Sequence, residues 1–260
     1  MKSYIFPLLL TLFSGMSTLL GGFITFFVKR NNLKVLSIGL GFSAGVMVYV
    51  SLNELVTESS TILGAFYGTQ LSKTFAFVGF ALGIVIAILI DYFIPDHIED
   101  DFLNTSKKSQ RQKVRRAGLI TALAVALHNF PEGIATFLVA SQDLMLGIPV
   151  AIAIAIHNIP EGIAIALPIF HSTGKKRLAI LYSFLSGISE PIGGLIGVLL
   201  LKTIMPDQAI GIMTAAVAGI MVYISFDTLL PLAREYGENH HVMIGIVSGM
   251  LVMSLGLIFL

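Results

Sequence analysis

Eight apolar stretches, each about the 20 residues a helix needs to cross a bilayer, leave this chain few folds to choose from. They run approximately over 4–28, 35–57, 74–94, 117–140, 145–170, 178–201, 208–232 and 241–260. Only 12% of the 260 residues are charged, about half the share of a soluble domain. Inside hydrocarbon every backbone polar group needs a partner within the protein, and uninterrupted apolar runs meet that demand as helices. The expected fold is therefore an all-α polytopic membrane protein, a single transmembrane domain spanning 1–260. Of the 16 Lys and Arg, all but Lys2, Lys73 and Lys202 fall in alternate loops, the fullest being 95–116. Positive charge stays in the cytoplasm, so both termini are expected outside a cell (cytoplasmic) membrane. The first stretch lacks a small-residue cleavage site and reads as part of the fold, not as a cleaved signal.

The chain also repeats itself. AGVMVYVSLNELV (Ala44–Val56) matches AGIMVYISFDTLL (Ala218–Leu230) at seven of thirteen positions. FSGMSTLLGGFI (Phe13–Ile24) matches LSGISEPIGGLI (Leu185–Ile196), and VGFALG (Val78–Gly83) matches IGIVSG (Ile244–Gly249) more faintly. Helices 1–3 thus correspond to helices 6–8. Five helices separate equivalents, so the copies are inverted across the membrane. The expected arrangement is three plus two plus three, a pattern belonging to alternating-access transporters.

Between the repeats lie two hexapeptides, HNFPEG (His128–Gly133) and HNIPEG (His157–Gly162), 29 residues apart in apolar runs. On a helix, residues i and i+4 share a face, so each motif aims an imidazole and a carboxylate the same way, with an amide beside them. The proline removes one ladder bond and frees the carbonyl four residues back, on Leu127 and Ile156. No Lys or Arg lies between Arg116 and Lys175 to balance Glu132 and Glu161. Carboxylates at bilayer depth need a cation or a proton. A proline kink with a polar patch explains one such motif better than two. Imidazole and carboxylate without any cysteine suit borderline to hard divalent ions, Zn²⁺, Fe²⁺, Mn²⁺ or Co²⁺. The candidate metal ligands are His128, Asn129, Glu132, His157, Asn158 and Glu161.

Glu190, the only acid of the sixth stretch, again precedes a proline and replaces the Thr18 of the other repeat; it is read as a third carboxylate. Met47 offers a thioether, although a methionine in an apolar helix ordinarily packs. Glu54 near the outer end of the second helix and Asp227 near the inner end of the seventh are candidate stations on a cation path, with Glu58 and Asp91 behind them. The acidic DHIEDD (Asp96–Asp101), His171 and the pair His240–His241 read as solvated or interfacial groups.

These motifs resemble the ZIP (Zrt-, Irt-like protein) family of divalent metal transporters, of the bacterial zinc-uptake type, from the first helix to the last. The resemblance implies a buried metal site, often binuclear, on the two central helices. It also implies movement of Zn²⁺ toward the cytoplasm, with Fe²⁺, Mn²⁺, Co²⁺ or Cd²⁺ as further substrates. By position it carries over to His128, Asn129, Glu132, His157, Asn158, Glu161 and Glu190, with Met47 where some relatives place a thioether. It implies a homodimer and an elevator-like motion of one bundle against another. No enzymatic role and no nucleic-acid partner are expected; metal here is substrate, not cofactor. An intramembrane metalloprotease needs a glutamate beside its histidine pair, as in H-E-x-x-H, where this chain has asparagine.

Overall fold

In a computed structural model, which describes residues 4–93, 107–200 and 207–258, the chain is built of helices. In order they are α1 (Ile5–Gly22, with a 3₁₀ turn Phe23–Phe26), α2 (Leu33–Val50), α3 (Val56–Phe93), α4 (Lys107–Gln142), α5 (Leu144–Thr173), α6 (Lys176–Gly187), α7 (Ser189–Leu200), α8 (Asp207–Ile224), α9 (Leu230–Tyr236) and α10 (Asn239–Ile258). Seven helical stretches among the described residues are long and apolar enough to cross a membrane. The fold is all-α and polytopic.

Several boundaries differ from those the apolar runs gave. The second and third runs form one helical stretch, Leu33–Tyr92, of 60 residues. A straight helix of that length would measure about 90 Å, three bilayer cores. It folds back at Gly68, whose φ of 74° and ψ of 170° are open to glycine alone at little cost. The Tyr67 and Phe75 rings meet across the bend at 4.7 Å, and both arms pack on α8, through Leu63 against Gly211 and Gly79 against Ile212. α4 starts at Lys107, ten residues earlier than the apolar run, because good helix formers continue it through part of the loop expected over 95–116. The 178–201 run is interrupted at Ile188 between α6 and α7. Neither Pro131 nor Pro160 ends its helix. The DHIEDD stretch lies outside the described residues.

π-helical turns join α2 to α3 (Ser51–Leu55) and α8 to α9 (Ser225–Leu229). They occupy matching places in the two copies of the AGxMVYxS repeat and share a cause. Ser51 Oγ donates to the Met47 carbonyl at 2.6 Å and Ser225 Oγ to that of Met221 at 2.8 Å. Sharing that carbonyl loosens the ladder, and the next bond runs five residues, from Val56 N–H to Ser51 and from Leu230 N–H to Ser225.

Close helix approaches also fall in matching pairs. Gly45 lies on the backbone of Ile246 as Gly219 lies on that of Phe80; Gly249 meets Phe42 as Gly83 meets Ala216. Gly21 meets Ile159 as Gly193 meets Phe130, and Gly15 and Gly187 meet one another. In hydrocarbon such small-residue contacts are what draw helices together. Two bundles result, one of α1 and α4–α7, the other of α2, α3 and α8–α10.

Candidate metal centre

α4 and α5 lie side by side and carry their hexapeptides to the same depth. The last residue of each motif shows why it is glycine. Gly133 sits against the Glu190 backbone and Gly162 against that of Thr18, with no room for a Cβ at either. These contacts hold α7 against α4 and α1 against α5, next to the hexapeptides.

All of His128, Asn129, Glu132, His157, Asn158, Glu161 and Glu190 are buried. The two motifs pair crosswise. His128 Nε2 lies 2.8 Å from Glu161 Oε1, a hydrogen bond between helices. His157 Nε2 lies 3.6 Å from Glu132 Oε1, an ion-pair distance too long for a hydrogen bond. Each imidazole thus faces the carboxylate of the other motif. Among the described residues no three His, Asp or Glu groups converge closely enough to enclose an ion as they stand. Many polar atoms here have no hydrogen-bond partner: both carboxylate oxygens of Glu132, both ring nitrogens of His157, Nδ1 of His128, Oε2 of Glu161 and Oδ1 of Asn158. Buried polar groups are nearly always satisfied, so a concentration of unsatisfied ones in one place marks a site for something polar.

A cavity of about 320 Å³ reaches this cluster. Its walls include Glu58, Glu54, Pro131, Thr214 and Val217, and Glu132 and His157 lie at its inner end. Glu54 and Glu58 both line this cavity. On the basic side a second cavity of about 450 Å³ lies against Arg111, His171, Glu235 and Tyr236. Leu36, Leu40, Ala164, Leu167, Leu229 and Leu232 belong to one buried apolar cluster, a plug that also takes in Leu55 and Val217 of the first cavity and Val114 of the second. Asp227 lines neither cavity. It is exposed, near Tyr223, Asp91 and Arg116, and Arg116 Nη2 is 3.3 Å from Asp91 Oδ1. Met47 is fully buried in the same apolar cluster as the plug.

Two residues that the motif reading passed over are drawn in. Ser14 Oγ donates to Glu190 Oε1, and Ser43 Oγ donates to the Pro160 carbonyl at 2.6 Å, joining the two bundles. Ser14 was within reach of the sequence: it is one of the identities between the first and sixth helices.

Residues 95–256 match the family model described as ZIP Zinc transporter, well over half of the chain. The chain belongs to the ZIP family. A "Zinc transporter ZupT" from Clostridium perfringens (strain 13 / Type A) is 45% identical over 276 residues, covering 99% of this chain and 97% of that protein. Those of the same name from Streptococcus mutans serotype c (strain ATCC 700610 / UA159), 46% identical over 252 residues, and Campylobacter jejuni subsp. jejuni serotype O:2 (strain ATCC 700819 / NCTC 11168), 43% over 275, each cover 96% of the chain and 96% and 94% of their own length. Such coverage extends the ZIP likeness to the first three helices, which the family model leaves out. It sets the enzyme reading aside, because ZIP proteins are transporters.

Proposed function

We propose that this chain imports divalent metal ions, Zn²⁺ first and Fe²⁺, Mn²⁺, Co²⁺ or Cd²⁺ through the same ligands, across the cytoplasmic membrane by alternating access. The observation that carries the reading is the crosswise His128–Glu161 and His157–Glu132 pairing at the inner end of a cavity lined by Glu54 and Glu58. As ligands the imidazoles are neutral and offer lone pairs, while the carboxylates offer charge, a nitrogen and oxygen donor set that fits borderline divalent ions. An arriving ion exchanges these inter-helix contacts for its own, so a carboxylate turns from its histidine toward the metal. Asn129 and Asn158 complete the shell as oxygen donors, and Glu190 supplies a third carboxylate for a second ion. Met47, packed in the apolar cluster, joins the ligands only if α2 shifts.

Paired repeat contacts, paired π turns and a plug on one side alone support eight crossings in an inverted three plus two plus three arrangement, the bend at Gly68 supplying the eighth. With the basic loops inside, the open cavity faces out, both termini lie outside, and Asp227 stands on the inner stretch of the path. Homodimerisation belongs to the same proposal and is checked by the mass of the detergent-solubilised protein.

Uptake of radioactive Zn²⁺ into proteoliposomes, with Fe²⁺ and Mn²⁺ as competitors, tests the function. Saturable uptake that Ala at both His128 and His157 abolishes is the expected result. Uptake no faster than in empty vesicles refutes it.

A further inference from the structure

Glu190 begins α7, and both of its carboxylate oxygens are already engaged by neutral donors from other helices. Ser14 Oγ on α1 donates to Oε1, and Asn158 Nδ2 on α5 donates to Oε2 at 2.8 Å. The same amide nitrogen also donates to the Ser14 carbonyl, at 3.0 Å. Ser14, Asn158 and Glu190 are each fully buried. A side-chain amide has two N–H hydrogens, and here both have acceptors. Turned over, Asn158 would set its oxygen against a carboxylate and a carbonyl, two acceptors with no hydrogen between them. Its orientation is therefore fixed by the network. Oδ1 is held facing away from Ser14 and Glu190, and no protein group meets it.

The internal repeat supplies a control. The places of Glu190, Ser14 and Asn158 are taken on the other side by Thr18, Ser186 and Asn129. Threonine carries no carboxylate. Ser186 Oγ donates instead to the Ala122 carbonyl on α4, at 2.5 Å. Thr18 Oγ1 and both amide atoms of Asn129 meet no protein partner, although both residues are fully buried. One asparagine of the pair is clamped and the other is not.

We infer that Ser14 is a positioning residue of the metal centre: with Glu190 it clamps Asn158, so that the amide oxygen is presented as a pre-set ligand. Ser14 touches no ion itself. The inference rests on reading the cluster as a metal site. Partners that orient a ligand ordinarily contribute 10–100-fold to metal affinity. The role depends on Glu190, because the Ser14 hydroxyl has other acceptors within reach, the Leu10 carbonyl at 3.0 Å and that of Thr11 at 3.3 Å. Its one hydrogen goes to the carboxylate as the stronger acceptor. Without that carboxylate it returns to its own helix and the clamp opens.

The test is calorimetric titration of Zn²⁺ into the purified full-length protein. Wild type, Ser14→Ala, Glu190→Gln and the double variant are compared. Ser14→Ala is expected to weaken Zn²⁺ binding about tenfold in the wild-type background. On top of Glu190→Gln it is expected to change affinity less than twofold. A matched pair separates the hydroxyl from packing: Ser14→Thr keeps it and Ser14→Val lacks it at nearly the same volume. Thr is expected to bind within twofold of wild type and Val about tenfold more weakly. The pair also decides the matter if the Ala variant does not fold. Equal losses in both backgrounds, equal losses for Thr and Val, or no loss for Ser14→Ala would each overturn the assignment. In all of these the wild type still binds Zn²⁺. A wild type that binds none would instead remove the metal site itself.

Discussion

At the scale of single residues, the site is defined by what its charges lack. Glu132 and Glu161 sit at bilayer depth with no Lys or Arg between Arg116 and Lys175, and they turn to the histidines of the opposite motif. Removing one imidazole takes away a ligand and also strands the carboxylate that faced it. Ala at His128 or at His157 is therefore expected to lower Zn²⁺ affinity at least about 100-fold while the protein remains folded. Calorimetry reads the affinity, and the detergent-state melting curve reads the fold. Wild-type binding by both variants would reduce the motifs to helix kinks. The hydrogen bond between His128 and Glu161 carries a second expectation. Metal and proton compete for the same lone pairs, so binding releases protons and weakens as pH falls. Titrations in buffers of different ionisation enthalpy count the protons released. A count of zero at neutral pH, or affinity that rises on acidification, would contradict the competition.

At the scale of elements, the glycines that end the hexapeptides set the spacing of α4 on α7 and of α5 on α1. A Cβ added to Gly133 meets the Glu190 backbone, and backbone cannot swing aside as a side chain does. Gly133→Ala is expected to cost about 1–3 kcal/mol of stability and to disturb Glu190, so both melting temperature and metal affinity fall together. An unchanged melting temperature would mean that α7 gives way. The hexapeptides, their spacing and the repeat were all plain in the sequence because they rest on residue identity. What escaped was settled by contacts between distant segments. The apolar runs end at 57 and resume at 74, and hydropathy alone does not say that the helix continues between them to a bend at Gly68. The early start of α4 at Lys107 is invisible to hydropathy, because its first turns are basic. The i, i+4 spacing put His and Glu on one face, but it could not tell that each would pair across to the other helix. Ser14 is the sharpest case: a small hydroxyl in an apolar helix ordinarily bonds to its own backbone, and only the approach of α7 gives it Glu190.

For the whole molecule, the informative comparison is between the open side and its repeat-related counterpart. Ile210, Thr214, Val217 and Glu58 line the open cavity. Their equivalents Leu36, Leu40, Ser43 and Leu232 are all buried. Closure there includes one polar contact that the open side lacks, Ser43 Oγ to the Pro160 carbonyl, where Val217 stands opposite Pro131. If the two sides exchange roles during transport, this bond favours the conformation seen here. A single neutral hydrogen bond contributes about 1 kcal/mol, enough to shift a balanced pair of states roughly fivefold. Ser43→Val removes it and makes the two sides alike. The chain has no cysteine, so single thiols report accessibility without background. In the otherwise native chain, Thr214→Cys is expected to react with a membrane-impermeant maleimide from outside, while Leu40→Cys is protected. Adding Ser43→Val is expected to slow the first reaction and to expose Leu40→Cys from the cytoplasmic face. The two rates should move in opposite senses, because one conformation's gain is the other's loss. A continuous pore would instead let both thiols react at once, and Ser43→Val would leave the ratio of the two rates where it was.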